Sequence, residues 1–397
     1  MSALSSERLI NEIYNQTNEN PGFAVQKFSR LLVKGIIMTN SKCYPISVPP
    51  IGRTYIPKLW VSLKNESENS VEYRYIPFIN LSFLKHICVF LYSFFYVLFW
   101  GIKDRNNKAI VCDVLCVSSS LAALFASKIC GLTSVAVVTD IYNQMVGPQT
   151  SGVKSLISRL AGWLNSIYVR YFSKYVLLTE AMNEVVNPKG RPYIVMEALC
   201  DSNLADTEII KYEKDYPKVI LYAGGLEERY GLEMLVEAFK QVKLGNVELH
   251  IYGSGSYVND LLIETANDSR IKYWGVRSNE EIVEAEYRAT LLVNPRFSTE
   301  EFTKYSFPSK NMEYMVSGTP LLTTKLPGMP IEYHRYVYLF QGESISEYHS
   351  SILNVLSKPE NELKEFGLRS REYVLKNKNC RSQGKKIVEF MFTDYEQ

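Results

Sequence analysis

Along the C-terminal half of the chain, short apolar runs alternate with stretches of helical spacing. Positions 219–223, 247–252, 271–274, 289–293 and 321–324 read as strands. The first four stop at Gly224-Gly225, Gly253-Ser254-Gly255, Gly275-Val276 and Asn294-Pro295-Arg296. Residues 231–242 and 279–288 carry helical patterns between them. Apolar strands separated by helices predict a parallel sheet covered on both faces. Ligands bind such sheets at the carboxyl ends of the strands, so these four turns are expected to line one edge.

The N-terminal half repeats the theme less cleanly. A helix over 24–35, with Val25, Phe28, Leu31 and Leu32 on one face, is opened by Asn20, Pro21 and Gly22. Strands are predicted at 109–112, 115–118, 134–138, 175–178 and 194–196, and the polar stretch 201–207 reads as a linker. Residues 1–20 hold no apolar run, so the strand that usually opens a doubly wound domain is missing or the domain starts unconventionally. The resulting division is 1–200, 201–375, and a helix over 376–397 returning to the first domain.

One stretch, Ser306 to Leu322, combines helix signals with chemistry. Pro308 suits a helix start, Ser306 or Ser309 can cap free N–H groups, and Gly318 ends the helix. It reads as an ordinary α/β element, or as an anion site at a helix N-terminus with Lys310 beside it. Glu313 is then placed to accept hydroxyl hydrogen bonds.

Residues 87–102 form an apolar, aromatic run flanked by Lys85 and Lys103. It falls short of the roughly 20 residues a span needs. It predicts either a core helix or a helix lying on a membrane surface. The 397 residues are 46% hydrophobic and 22% charged, with a formal net charge of +2. That balance argues against nucleic acid as a partner. Seven scattered cysteines complete no metal-ligand set and predict reduced thiols. The polar first 20 residues lack a signal-peptide core, which predicts a cytoplasmic protein.

Tyr222-Ala223-Gly224-Gly225-Leu226, Arg229-Tyr230-Gly231-Leu232, Ile251-Tyr252-Gly253-Ser254-Gly255 and Tyr273-Trp274-Gly275-Val276 follow one another in a recognisable order. Phe307-Pro308-Ser309-Lys310, Glu313-Tyr314-Met315 and Ser317-Gly318-Thr319-Pro320 complete it. Over about 218–340 this resembles family 4 of the glycosyltransferases, retaining enzymes that often build bacterial capsule or exopolysaccharide. The resemblance implies the GT-B fold: α/β, with two Rossmann-like doubly wound domains facing a central crevice. It implies a nucleotide-diphosphate sugar as donor substrate, no cofactor, no metal, and a lipid-linked or oligosaccharide acceptor. The enzyme is then expected at the inner face of the plasma membrane, with 87–102 as a peripheral contact.

In the same resemblance, Gly224 and Gly225 let the donor approach the backbone, with Gly253 and the cation Arg229 also on the donor side. Ser306, Phe307, Pro308, Ser309, Lys310 and Arg296 hold the diphosphate, Glu313 the ribose, and Gly275 and Val276 the base. Each has a plainer reading: Gly225 as a tight turn, Glu313 as a solvated carboxylate. Asp140, after the strand 134–138, is placed near the acceptor hydroxyl, and Pro21, Gly22 and Glu180 on the acceptor side. Capping is the plainer reading of Asp140. The pattern departs from the family at Tyr305, where a sugar-facing glutamate is usual; Glu300 and Glu301 stand just upstream. Leu226 and Tyr230 occupy the usual Arg and Lys positions, leaving Arg229 as the nearest cation. Tyr305 in place of that glutamate, and the missing first strand, keep open a non-catalytic GT-B protein serving as partner or scaffold of another transferase. A sugar-nucleotide epimerase would need a richer acidic and histidine set than His86, His250, His334 and His349 provide.

Overall fold

The computed structural model describes residues 1–17, 23–103, 107–141, 153–206 and 213–393. The chain divides into two units, Met1–Leu199 with Cys380–Gln397, and Cys200–Asn379.

The first unit begins with the helices Glu7–Thr17 and Phe23–Ile37, followed by five short strands. These are β1 (Ile46–Ser47), β2 (Trp60–Val61), β3 (Glu66–Glu68), β4 (Val71–Tyr75) and β5 (Phe78–Ile79). They pair as β1-β4-β3 and β2-β5. Val71, Tyr73 and Tyr75 point inward in alternation, as a half-buried strand requires. Four parallel strands follow in the order β6-β7-β8-β9: β6 (Ala109–Asp113), β7 (Thr133–Val138), β8 (Lys174–Leu177) and β9 (Tyr193–Val195). All four residues of β8 are buried, because helices cover both faces.

The helix Cys380–Phe392 completes this unit. Cys380, Ile387, Phe390 and Met391 share a core with Leu31, Leu32, Val135, Val137 and Val176. The Lys174 ammonium caps its C-terminal end, donating to the carbonyls of Phe390 (2.8 Å) and Met391 (3.0 Å). Gly35 and Gly384 let this helix and Phe23–Ile37 touch backbone to backbone.

The second unit is one parallel sheet of β10 (Lys218–Gly225), β11 (Val247–Ser254), β12 (Ile271–Gly275), β13 (Leu291–Asn294), β14 (Leu321–Thr323) and β15 (Tyr338–Leu339). Its order is β12-β11-β10-β13-β14-β15, so the winding reverses between β10 and β13. Helices on both faces close a core around Leu235, Phe239, Ile251, Leu291 and Tyr348.

Two sequence expectations need correction. Residues 115–118 are no strand: Asp113 accepts from the N–H of Leu115 (3.0 Å), turning the chain into the helix Val117–Cys130. The aromatic segment is a 22-residue helix, Ser82–Lys103, long and apolar enough by length and composition to cross a membrane. It is not a core helix, since only 17% of its most apolar window is buried. In residues 1–17 no strand stands before the first helix. Instead Ser2 makes a single parallel bridge to Ser47, and the Asp113 N–H donates to the carbonyl of Met1 (2.9 Å).

A Cβ on Gly35 would stand 2.0 Å from the carbonyl oxygen of Cys380. Gly35→Ala should therefore cost about 1–3 kcal/mol in chemical unfolding, the range for overpacking. Gly245→Ala, with nothing within 4 Å of the added carbon, should be near neutral. Equal midpoints for the two variants would refute the contact.

Candidate functional site

The site begins with a hydrogen-bonding problem at the reversal point of the second sheet. β10 pairs with β13 only at Ile220 and Leu221, yet continues against β11 as far as Gly225. On the β13 side the backbone of Ala223 needs another partner, because a buried unpaired amide is costly. The Tyr314 hydroxyl supplies it, accepting from the Ala223 N–H (2.8 Å) and donating to its carbonyl (3.1 Å). Tyr314 is fully buried on the helix Ser309–Ser317. One turn earlier Asn311 accepts from the Asn294 side chain (2.6 Å) and donates to Thr323 (3.3 Å). The helix is thus pinned at the carboxyl ends of β10, β13 and β14.

Its N-terminus opens at the same edge. Pro308 is the N-cap and makes no side-chain cap bond. Neither Ser306 nor Ser309 caps it, contrary to expectation, since the proline's extended backbone takes the cap position itself. Phe307 is buried against Tyr333 (ring centroids 5.1 Å apart), and Ser309 is exposed. A helix start without a side-chain cap offers backbone donors and the positive end of its dipole to an anion.

Two glycines make the neighbouring turns possible. Gly253 pairs with Gly224 at φ 128°, where an added Cβ would stand 1.8 Å from the Gly224 carbonyl oxygen. Gly231, at φ 75°, lets its backbone meet Pro295, whose oxygen would be 2.1 Å from a Cβ there. That Pro295 oxygen also accepts from the Tyr348 hydroxyl (2.8 Å). The loop carrying Arg296 is therefore held from two sides.

Arg296 lies 4.6 Å over the Tyr230 ring and 5.7 Å from the Phe302 ring. Arg229 approaches the same two rings at 5.4 and 5.1 Å. Burial holds Arg296 below the ordinary arginine pKa, opposed by Tyr222 and Tyr230. Among the described residues no carboxylate pairs with either guanidinium. Two cations sharing an aromatic pair, with no acid to neutralise them, form a place for an anion.

Lys310 and Glu313, read separately in the sequence, form an ion pair of 3.0 Å on successive turns of the helix. Burial lowers the Lys310 pKa, but Glu313 and Glu286 outweigh it and raise it overall. At the next strand end the Tyr273 hydroxyl donates to the Gly253 carbonyl (2.9 Å), and Trp274 stacks on Tyr252. Gly275 follows at φ 70°, and Val276 is exposed. Gly224, Gly225, Gly253, Gly275, Arg296 and Lys310 are thus all at the carboxyl edge of one sheet. Tyr305 is half-buried behind the turn Glu301–Lys304, and neither Glu300 nor Glu301 makes an ion pair among the described residues. Four residues given no role by sequence, Tyr230, Phe302, Asn311 and Tyr314, prove central. Only the buried face of the helix hinted at the last two.

In the first unit Asp140 follows β7, and its carboxylate accepts from the N–H of Ile141 (2.8 Å). Burial pushes its pKa up to about 6, partly offset by that bond. Among the described residues, the buried hydroxyl of Thr139 beside it has no partner. Glu180 is exposed and accepts from the Tyr193 hydroxyl. Pro21 and Gly22 lie outside the described residues. Among those described, no three His, Cys, Asp or Glu side chains cluster to hold a metal.

Residues 217–358 match the family model described as Glycosyl transferases group 1. No curated protein matches the sequence. In structure the chain is similar to sucrose-phosphate synthase from Thermosynechococcus elongatus, with TM-score 0.62 and 13% identity over 92% of each chain. It is also similar to the lipopolysaccharide outer core galactosyltransferase WaaB, with TM-score 0.59 and 15% identity over 94% of this chain and 96% of that one. A third similar structure is Anabaena HepE in complex with UDP and glucose, at TM-score 0.51 and 16% identity over 75% and 81%. The match to the glycosyl transferases group 1 model thus lies within the second unit, and the chain shares the GT-B fold of these structures.

Tyr314→Phe strips Ala223 of both hydroxyl bonds while keeping the ring. The unmatched backbone groups should cost about 1–3 kcal/mol in urea unfolding. An unchanged midpoint would show that the hydroxyl does not anchor the helix.

Proposed function

We propose that the protein is a retaining glycosyltransferase of family 4. It moves a sugar from a nucleotide-diphosphate sugar to a lipid-linked or oligosaccharide acceptor in bacterial surface polysaccharide synthesis. It works in the cytoplasm at the inner face of the plasma membrane, with residues 87–102 as its peripheral contact. The observation that carries the reading is the pair Arg229 and Arg296, without a carboxylate partner among the described residues, at the same sheet edge as a helix start with no side-chain cap. A nucleoside diphosphate has the charge for that place, and HepE is a similar fold whose complex holds UDP and glucose.

In this reading Arg229, Arg296 and Lys310 surround the diphosphate with the backbone of Ser306, Phe307, Pro308 and Ser309. Gly224, Gly225 and Gly253 admit it to the strand ends. Glu313 exchanges Lys310 for the ribose hydroxyls, and Gly275 and Val276 hold the base through the backbone. The bond between the anomeric carbon and the phosphate oxygen breaks, its electron pair passing to the diphosphate. The cations stabilise that charge as it forms, which lowers the barrier. The acceptor oxygen bonds to the anomeric carbon on the face the diphosphate leaves, which retains configuration. Asp140 takes the acceptor proton, with Pro21, Gly22 and Glu180 on the acceptor side. The reaction so drawn uses no bound cofactor or metal.

Titration calorimetry with UDP and GDP should show binding of one of them. Arg296→Ala and Glu313→Ala should each weaken it roughly 10- to 100-fold, the worth of a charge-assisted bond. No nucleotide binding by the wild-type protein would leave the scaffold reading in place. A base with a pKa of about 6 is lost by protonation, so transfer should fall as the pH drops through about 6. Asp140→Asn should remove that fall along with most of the rate. A flat profile in the wild-type protein would remove Asp140 from the role.

A further inference from the structure

The helix Ser82–Lys103 is inside out for a helix facing water. Val89, Ser93 and Val97, four residues apart, are its buried stripe. Ile87, Leu91, Phe95, Phe99 and Ile102 lie about 180° round the helix and are exposed, Phe99 by 68%. A solvated face should carry polar residues there. The adjoining helix Val117–Cys130 runs beside it in the same direction, since contacts advance together. His86 meets Ser118 (2.8 Å), Phe90 meets Phe125 (6.5 Å), and Cys130 meets the Leu98 carbonyl (3.6 Å). That second helix widens the apolar face with Phe125 and Ile129, the latter 66% exposed.

Charge says what covers this face. The helices Ser82–Lys103, Val117–Cys130 and Val153–Tyr168 contain no Asp or Glu, in a chain where 42 of 397 residues are acidic. One position before Ile129, Lys128 stands 4.7 Å from the Tyr171 ring, and Lys189 stands 4.4 Å from the same ring. Among the described residues neither ammonium has a carboxylate partner. Lys103 closes the aromatic helix at its C-terminal end, where Cys130 also lies. A second copy of this chain would bring the same positive rim against itself, whereas an anionic bilayer complements it.

We infer that Phe95, Phe99, Ile102, Phe125 and Ile129 insert together into an anionic bilayer surface, while Lys128 and Lys189 around Tyr171 bind its lipid phosphates. The inference rests on the membrane contact proposed above and adds to it a second helix and a choice of lipid. One stripe of Ser82–Lys103 is committed to its own unit, so the helix lies along the interface and does not cross it. Exposed aromatic side chains and a basic edge are the two signals that together give stable surface attachment.

Co-sedimentation of the full chain with phosphatidylcholine vesicles and with vesicles containing phosphatidylglycerol tests this. Binding should favour phosphatidylglycerol and weaken with salt. Lys128→Gln with Lys189→Gln should cut the phosphatidylglycerol affinity about tenfold or more, leaving binding to phosphatidylcholine unchanged. Phe99→Ser with Ile129→Ser should weaken binding to both, with circular dichroism and melting unaltered. Equal wild-type binding to the two vesicles would overturn the basic site and spare the membrane contact. No binding to either, or a dimer that loses its partner in the Ser variant, would overturn both. Nucleotide binding, measured on the same variants, reports separately on the transfer reaction and should not change.

Discussion

The bond between the Tyr314 hydroxyl and the backbone of Ala223 is the interaction on which the second unit's site depends. A doubly wound sheet opens where its winding reverses, and the opening strips one strand of a neighbour. A tyrosine reaching from a helix meets that need with a single group that both donates and accepts. The helix must then sit over the opening with its N-terminus at the strand ends. The positive end of a dipole, the lysine of the first turn and the glycine turns follow from that one placement.

The second constraint is that, among the described residues, no carboxylate pairs with Arg229 or Arg296. Arg229 is exposed, but taking the Arg296 guanidinium from water without a partner is costly, and stacking on Tyr230 recovers only part of the loss. Lys310, by contrast, carries its counterion with it in Glu313. The edge therefore holds two kinds of cation: a stacked pair that an anion would relieve, and a lysine whose partner must be displaced or shared.

The strands of the second unit were legible because buried parallel strands are continuous apolar runs bounded by glycine, and all five runs read there as strands are found. The strands between residues 46 and 79 escaped notice because each is only two to five residues long, and β1 and β2 pair with distant segments. Asp113 misled in another way: a local bond to Leu115 outweighed the β-propensity of the apolar residues after it. Arg229, Tyr230, Arg296 and Phe302 come from loops about 70 residues apart, so no local pattern announces their cluster. Tyr314 and Asn311 stood in a motif whose exposed residues drew the chemistry. What their buried face did is visible only once the strands it bonds are in place.

The close approach of Gly35 and Gly384 bears on how the protein is made. The helix Cys380–Phe392 leaves the ribosome after the whole of the second unit, yet the first unit's core includes it. During synthesis the first unit must wait, Leu31 and Leu32 uncovered, while some 180 residues are added and fold. Its last contacts are also its most distant in sequence, and loop closure over that span is slow.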